Sequence, residues 1–112
     1  MRGIDAERRA EGRRRAGAYL RRLREENGLT QLELSQIIGF SYFTMIGQVE
    51  PGTVRLPPKQ MVAWADALGV GHATFGKRML YHYEPQFWAM IYGPPDDSAP
   101  KDASEGGQDE PE

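Results

Sequence analysis

Cysteine is absent from the 112-residue chain, and histidine occurs only at positions 72 and 82. A disulfide framework and a zinc-thiolate finger are thereby excluded, and two histidines are too few for a zinc site without carboxylate partners. No HExxH, GxGxxG or GxSxG arrangement occurs. No constellation of nucleophile, base and pocket can be assembled, so the chain is not read as an enzyme and no cofactor is implied. No apolar run approaches membrane-spanning length, and the arginine-rich start is not followed by the apolar core of a signal peptide. The expectation is a cytoplasmic protein with no metal and no membrane partner.

Net charge is also scarce: the formal balance is −2 at pH 7, which by itself argues against a nucleic-acid partner. Its distribution argues the other way. Residues 1–26 carry nine Arg against five acidic residues, while residues 98–112 carry one Lys against five. The basic beginning and the acidic end are separate devices. The length allows one small domain with tails.

What the middle of the chain does have is helical period. Leu34, Ile37 and Ile38 recur at helical spacing, Gly39 interrupts, and Met45, Ile46 and Val49 resume. Thr30 and Glu33 are spaced for a reciprocal capping box, with Leu29 and Leu34 at the positions of a hydrophobic staple, so Glu33 reads as structural. Gly39 stands where a helix end calls for positive φ, and Ser41 is a candidate N-cap for the next helix. Two short helices joined by a tight turn make a helix-turn-helix, whose usual work is to place its second helix in the major groove of DNA.

The phrases TQLEL, IIGFS and IGQVEPG resemble the TQEELA, LGVS and ISQIENG of the lambda-repressor-like (Xre-type) family. Trp64, Ala65, Ala67, Leu68, Gly69 and Val70 continue the likeness, which covers roughly Ala18 to Phe75. Matched through Ile46, Gln48, Val49, Glu50 and Gly52, the turn is one residue longer than the family's. That register puts Phe43, Thr44, Gly47 and Gln48 at DNA-facing positions, with Tyr42 beside them, in a recognition helix of about residues 42–50. The resemblance further implies that Gln31 holds a phosphate and that Arg55 makes another from the following loop. It also implies an ion pair between Arg24 and Glu50. This sequence departs from the family at Leu32, Tyr42, Phe43, Gly47 and Pro51. Thr44 and Gln48 remain as ordinary hydrogen-bonding readers, while Phe43 offers contact to thymine methyls and Gly47 a close backbone approach.

On the flanks, Ala16, Tyr19, Leu20 and Leu23 share a helical face that must pack on the helix pair. After Met1, residues 1–15 have only Ile4 as a sizeable apolar side chain. They are expected to form a flexible or frayed-helical basic arm, either neutralising phosphates or solvated as a helix extension with internal Glu and Arg pairing. Two prolines keep Thr53–Pro58 from being helical throughout. Met61, Trp64, Ala65 and Leu68 then form one stripe, and Phe75, Met79, Leu80 and Tyr83 another with Lys77 and Arg78 opposite. QFWAMIY at 86–92 is apolar on nearly every side. So small a core cannot use Phe87, Trp88, Met90 and Ile91 together, so these are expected to meet a second copy of the chain or another protein. Residues 93–112, rich in Pro, Gly, Ser and acid, should be a disordered tail.

The expected architecture is all-α. A lambda-repressor-like domain of four to five helices, with an extra C-terminal aromatic helix, occupies residues 16–92 between the arm and the acidic tail. The expected function is sequence-specific transcription regulation on double-stranded DNA by a homodimer. The departures keep an alternative open: the same fold used as a protein-binding module, an adaptor to the transcription machinery or an antitoxin, docking through Leu32, Tyr42 and Phe43.

Overall fold

The computed structural model describes residues 2–93, so residues 94–112 of the expected acidic tail lie outside the described residues. Within that range the chain is all α: α1 (Arg2–Glu26), α2 (Gln31–Ile38), α3 (Phe43–Val49), α4 (Met61–Leu68), α5 (His72–Tyr83) and α6 (Pro85–Tyr92). Single 3-10 turns at Phe40–Tyr42 and Pro58–Gln60 lead into α3 and α4.

Residues 2–15 form the first half of α1, the second of the two expected forms, a helix extension with internal Glu and Arg pairing. Glu11 accepts from Arg14 Nη2 and Arg15 Nε at 2.7 Å each, pairs at i,i+3 and i,i+4 that support a helix and hold the Glu11 carboxyl below its ordinary pKa. The segment is anchored without apolar side chains. At Gly12 the helix backbone lies against the carbonyl of His82 in α5, so close that a Cβ would collide with it. One residue on, Arg13 Nε donates to the Gly52 carbonyl at 2.8 Å. Residues 3–9 project beyond this anchor and are exposed.

The second half of α1 supplies Ala16, Tyr19 and Leu20 to a core completed by Leu34, Ile46, Val49, Leu56, Trp64, Leu68, Phe75 and Met79. The helix closes through Gly28: its N–H donates to Glu25 O at 2.9 Å and the N–H of Leu29 to Arg24 O at 3.1 Å, a pattern that satisfies the last carbonyls. Asn27 Nδ2 then donates to Leu68 O at 3.1 Å, tying this end to α4. Arg78, placed by periodicity on the outer side of α5, is buried. Its guanidinium lies 4.3 Å from the centroid of the Tyr19 ring, so a cation with an aromatic partner occupies a face that spacing alone assigns to solvent.

α6 folds back on α5 and splits the aromatic segment in two. Trp88 is buried, its ring edge-on to Tyr81 with centroids 5.3 Å apart and tilted against Tyr92 at 4.2 Å. The expectation that Trp88 belongs to a partner surface is therefore corrected: it cements α6 to α5. Phe87, Met90 and Ile91, at i, i+3 and i+4 on the other side, remain exposed.

Candidate nucleic-acid interface

The start of α2 is fixed by the spacing that the sequence displays. Thr30 Oγ1 accepts from the amide of Glu33 at 3.0 Å, and Glu33 Oε1 accepts from the amide of Thr30 at 2.9 Å. At the other end Gly39 adopts φ 130° and donates to Ser35 O. The extra turn residue is absorbed in the 3-10 turn Phe40–Tyr42, where the Tyr42 amide donates to Gly39 O at 2.9 Å. Ser41 lies inside that turn, and no side chain caps α3. Seven residues of helix follow, with Ile46 and Val49 turned into the core and Phe43, Thr44, Gly47 and Gln48 exposed.

Tyr42 departs from its expected DNA-facing place. It is half-buried, and its hydroxyl accepts from Gln60 Nε2 at 3.2 Å, which makes it a strut between the turn and the approach to α4. Behind α3, Arg24 and Glu50 form a two-pronged ion pair, Nε to Oε2 at 2.7 Å and Nη2 to Oε1 at 3.0 Å. Hydrogen bonding to Glu50 raises the Arg24 pKa against the opposing effect of burial, so this charge persists through any ordinary pH. Arg24 Nη1 also donates to Leu29 O at 2.7 Å. One guanidinium thus joins the end of α1, the entry to α2 and the end of α3.

Gln31 enters the same network, its Nε2 donating to Glu50 Oε1 at 3.0 Å. It lines a cleft of about 370 Å³ with Arg21, Arg24, Gly47, Glu50 and Pro51. Sequence reasoning missed Arg21, although it sits three residues before Arg24 on α1 and hence on the same side of that helix. Gly47 forms part of the wall. A glycine inside a helix costs about 1 kcal/mol relative to alanine, and a Cβ here would find only Gln31 Oε1, at 3.8 Å.

Arg55 is not the free cation of its loop. Its Nη1 pairs with Glu84 Oε2 at 2.7 Å, and its guanidinium lies 4.8 Å from the centroid of the Tyr83 ring. Tyr83 in turn accepts from the Leu56 amide at 2.9 Å. Burial pushes the pKa of this phenol up, opposed by that hydrogen bond and by the charges of Arg55 and Arg13. The loop after α3 is thereby tied to the junction of α5 and α6, and with Nη1 engaged by Glu84 a phosphate contact by Arg55 falls to its remaining N–H donors.

Among the described residues, no group of three or more His, Asp or Glu side chains is gathered so as to hold a metal ion, and no helix is long and apolar enough to cross a membrane. No curated protein matches the chain. A family model described as helix-turn-helix matches residues 20–75, a span that takes in α2, the turn, α3 and the Arg24–Glu50 pair. The all-α fold and that match agree: the chain belongs to the lambda-repressor-like (Xre-type) helix-turn-helix family of DNA-binding domains.

Proposed function

We propose that the protein is a cytoplasmic, sequence-specific transcription regulator that inserts α3 into the major groove of double-stranded DNA. The observation that carries this reading is the division of α3 into two faces. Ile46 and Val49 fix one face in the core, and Phe43, Thr44, Gly47 and Gln48 are exposed on the other. Thr44 and Gln48 supply donors and acceptors for base edges, Gln48 with the amide geometry that suits adenine, and Phe43 supplies apolar contact for a thymine methyl. Gln48→Ala is expected to weaken binding to the preferred duplex by about 1–3 kcal/mol and to relax preference at one base position. Competition binding against single-position variants of that duplex measures this; an equal loss on every variant would make Gln48 a backbone contact.

A homodimer completes the reading. Met90 is 82% exposed, with Phe87 and Ile91 exposed beside it on one stripe of α6. An apolar stripe of this kind gains by meeting its own copy across a two-fold axis, and two domains so related read half-sites about 34 Å apart. Met90→Glu is expected to leave helix content nearly unchanged while converting the dimer to a monomer that loses cooperative operator binding. Sedimentation velocity reads this directly, and a wild-type chain that stays monomeric both alone and on DNA would defeat the dimer.

One observation favours the second reading, a protein-binding module. Ile37 and Phe40 are 57% and 66% exposed beside the turn, with Leu32 at 43%, an apolar surface next to the face assigned to DNA. The two readings part on salt: groove binding weakens steeply as salt rises, whereas apolar docking does not.

A further inference from the structure

Nothing inside the fold calls for glycine at position 47. Its φ is not positive, unlike those of Gly28, Gly39, Gly52, Gly69 and Gly93. No backbone presses on it as the Val49 and Glu50 carbonyls press on Gly17, and a Cβ would make one ordinary contact, with Gln31 Oε1. A side chain here would strengthen α3 and fill the cleft between Gln31 and Pro51. Its absence therefore serves something that comes from outside the chain.

The cleft states what that is by the polarity of its wall. The Glu50 carboxylate, held by two hydrogen bonds from Arg24, can only accept. It takes Nε2 of Gln31, and the reverse orientation of the amide would set two acceptors against each other. The paired arginine and glutamate thus fix the direction of the Gln31 side chain, and the atom nearest the space above Gly47 is its carbonyl oxygen. A phosphate oxygen, itself an acceptor, uses only the second hydrogen of Nε2 and leaves Oε1 without a partner. A group that donates as well as accepts uses both atoms of the Gln31 amide.

Donors that reach the outer face of a helix in the major groove are the exocyclic amino groups of adenine and cytosine. Adenine fits the amide better. Its N6 group donates where Oε1 accepts, and its N7 accepts from the second hydrogen that Nε2 carries. We infer that Gln31 is a specificity-determining residue, reading an adenine across the gap left by Gly47. Arg21, exposed on the rim of the same cleft and held by Glu25 at 2.9 Å, takes the neighbouring phosphate in its place. This rests on the DNA-binding reading above and adds to it a base position beyond those assigned to Thr44 and Gln48.

The test uses the full chain and the duplex it prefers from a randomised pool. Each adenine of the half-site is replaced in turn by purine, which lacks the N6 amino group, and each cytosine by the analogue lacking the N4 amino group. Binding is measured for wild type, Gly47→Ala and Gln31→Leu, with thermal melts to confirm that both variants are folded. At one adenine, loss of the amino group should weaken wild-type binding about tenfold and leave the affinity of either variant within about twofold. Gly47→Ala alone decides the matter if Gln31→Leu fails to fold. Coupling at a cytosine instead would overturn the assignment to adenine. A clear preferred sequence with no amino group coupled to Gln31 and Gly47 would overturn the inference while leaving the proposed function standing. A pool that yields no preferred sequence would remove the proposed function, and this inference with it.

Discussion

Arg24→Ala is expected to lower stability by about 3–5 kcal/mol, the cost of leaving a buried partner uncompensated. Glu50 is only 3% exposed at its side chain and has Arg24 as its ion-pair partner. Removing the guanidinium strands the carboxylate in the protein interior and also takes a donor from the Leu29 carbonyl. In a domain of this size each kcal/mol moves Tm by about 4–8 °C, so a fall of more than about 12 °C in a thermal melt is anticipated. The exposed pair Arg21–Glu25, at 2.9 Å with side chains 64% and 53% exposed, gives the contrast. Arg21→Ala should change stability by less than about 0.5 kcal/mol, because solvent screens that pair. Replacing Arg24 and Glu50 together by leucine should recover much of the loss, since the penalty comes from the unpaired charge. A double variant as unstable as Arg24→Ala would show that packing, and not the charge, dominates.

The interface side chains that departed from expectation share one cause. Capping by Thr30 and Glu33, the helix end at Gly39 and the stripe of Ala16, Tyr19 and Leu20 are local patterns, visible within a few residues of sequence. Tyr42 is held by Gln60 and Arg55 by Glu84, partners 18 and 29 residues away that no helical period announces. Trp88 was indistinguishable from Phe87 in an eight-residue helix with almost no polar face. Only the way α6 lies on α5 decides which aromatic is buried. For the first half of α1 the Glu and Arg spacing is compatible with a helix, but its anchoring is not visible in the sequence, because Gly12 and Arg13 hold it through contacts to the backbone of α5 and of the loop after α3. The Arg24–Glu50 pair spans 26 residues and was legible only through resemblance to a family.

These anchors bear on function because α3 is a short helix. Seven residues with no side-chain cap cannot hold a groove-reading geometry alone, since isolated helices shorter than about 12–15 residues are marginal in water. What holds α3 lies outside it: the ion pair behind Glu50, the amides of Thr53 and Val54 donating to Gln48 O at 2.9 and 3.2 Å, and α1 crossing its end. The cross-links at Arg13 and Tyr83 keep the following loop in place in the same way. Positioning of the proposed reading face is therefore a property of the whole helical frame.

The sharpest test of that frame is Gly17→Ala, where two effects of opposite sign compete. Helix propensity favours alanine by about 1 kcal/mol in the middle of α1. Against this, a Cβ at position 17 would collide with the carbonyl oxygens of Val49 and Glu50, which are backbone atoms at the end of α3 and cannot rotate aside. Overpacking typically costs about 1–3 kcal/mol, and a collision with two carbonyls belongs at the upper end, so the clash wins. Gly17→Ala should destabilise by about 2 kcal/mol net and push α3 away from α1, weakening DNA binding even under conditions where the variant is fully folded. Gly76→Ala supplies the control of opposite sign: it lies within α5 with nothing inside 4 Å of an added Cβ, so propensity alone acts and stability should rise by about 0.5–1 kcal/mol. Chemical denaturation of the two variants measures both. If Gly17→Ala proved as stable as Gly76→Ala, α1 would not press on the end of α3, and the account of how the reading face is held would have to be given up.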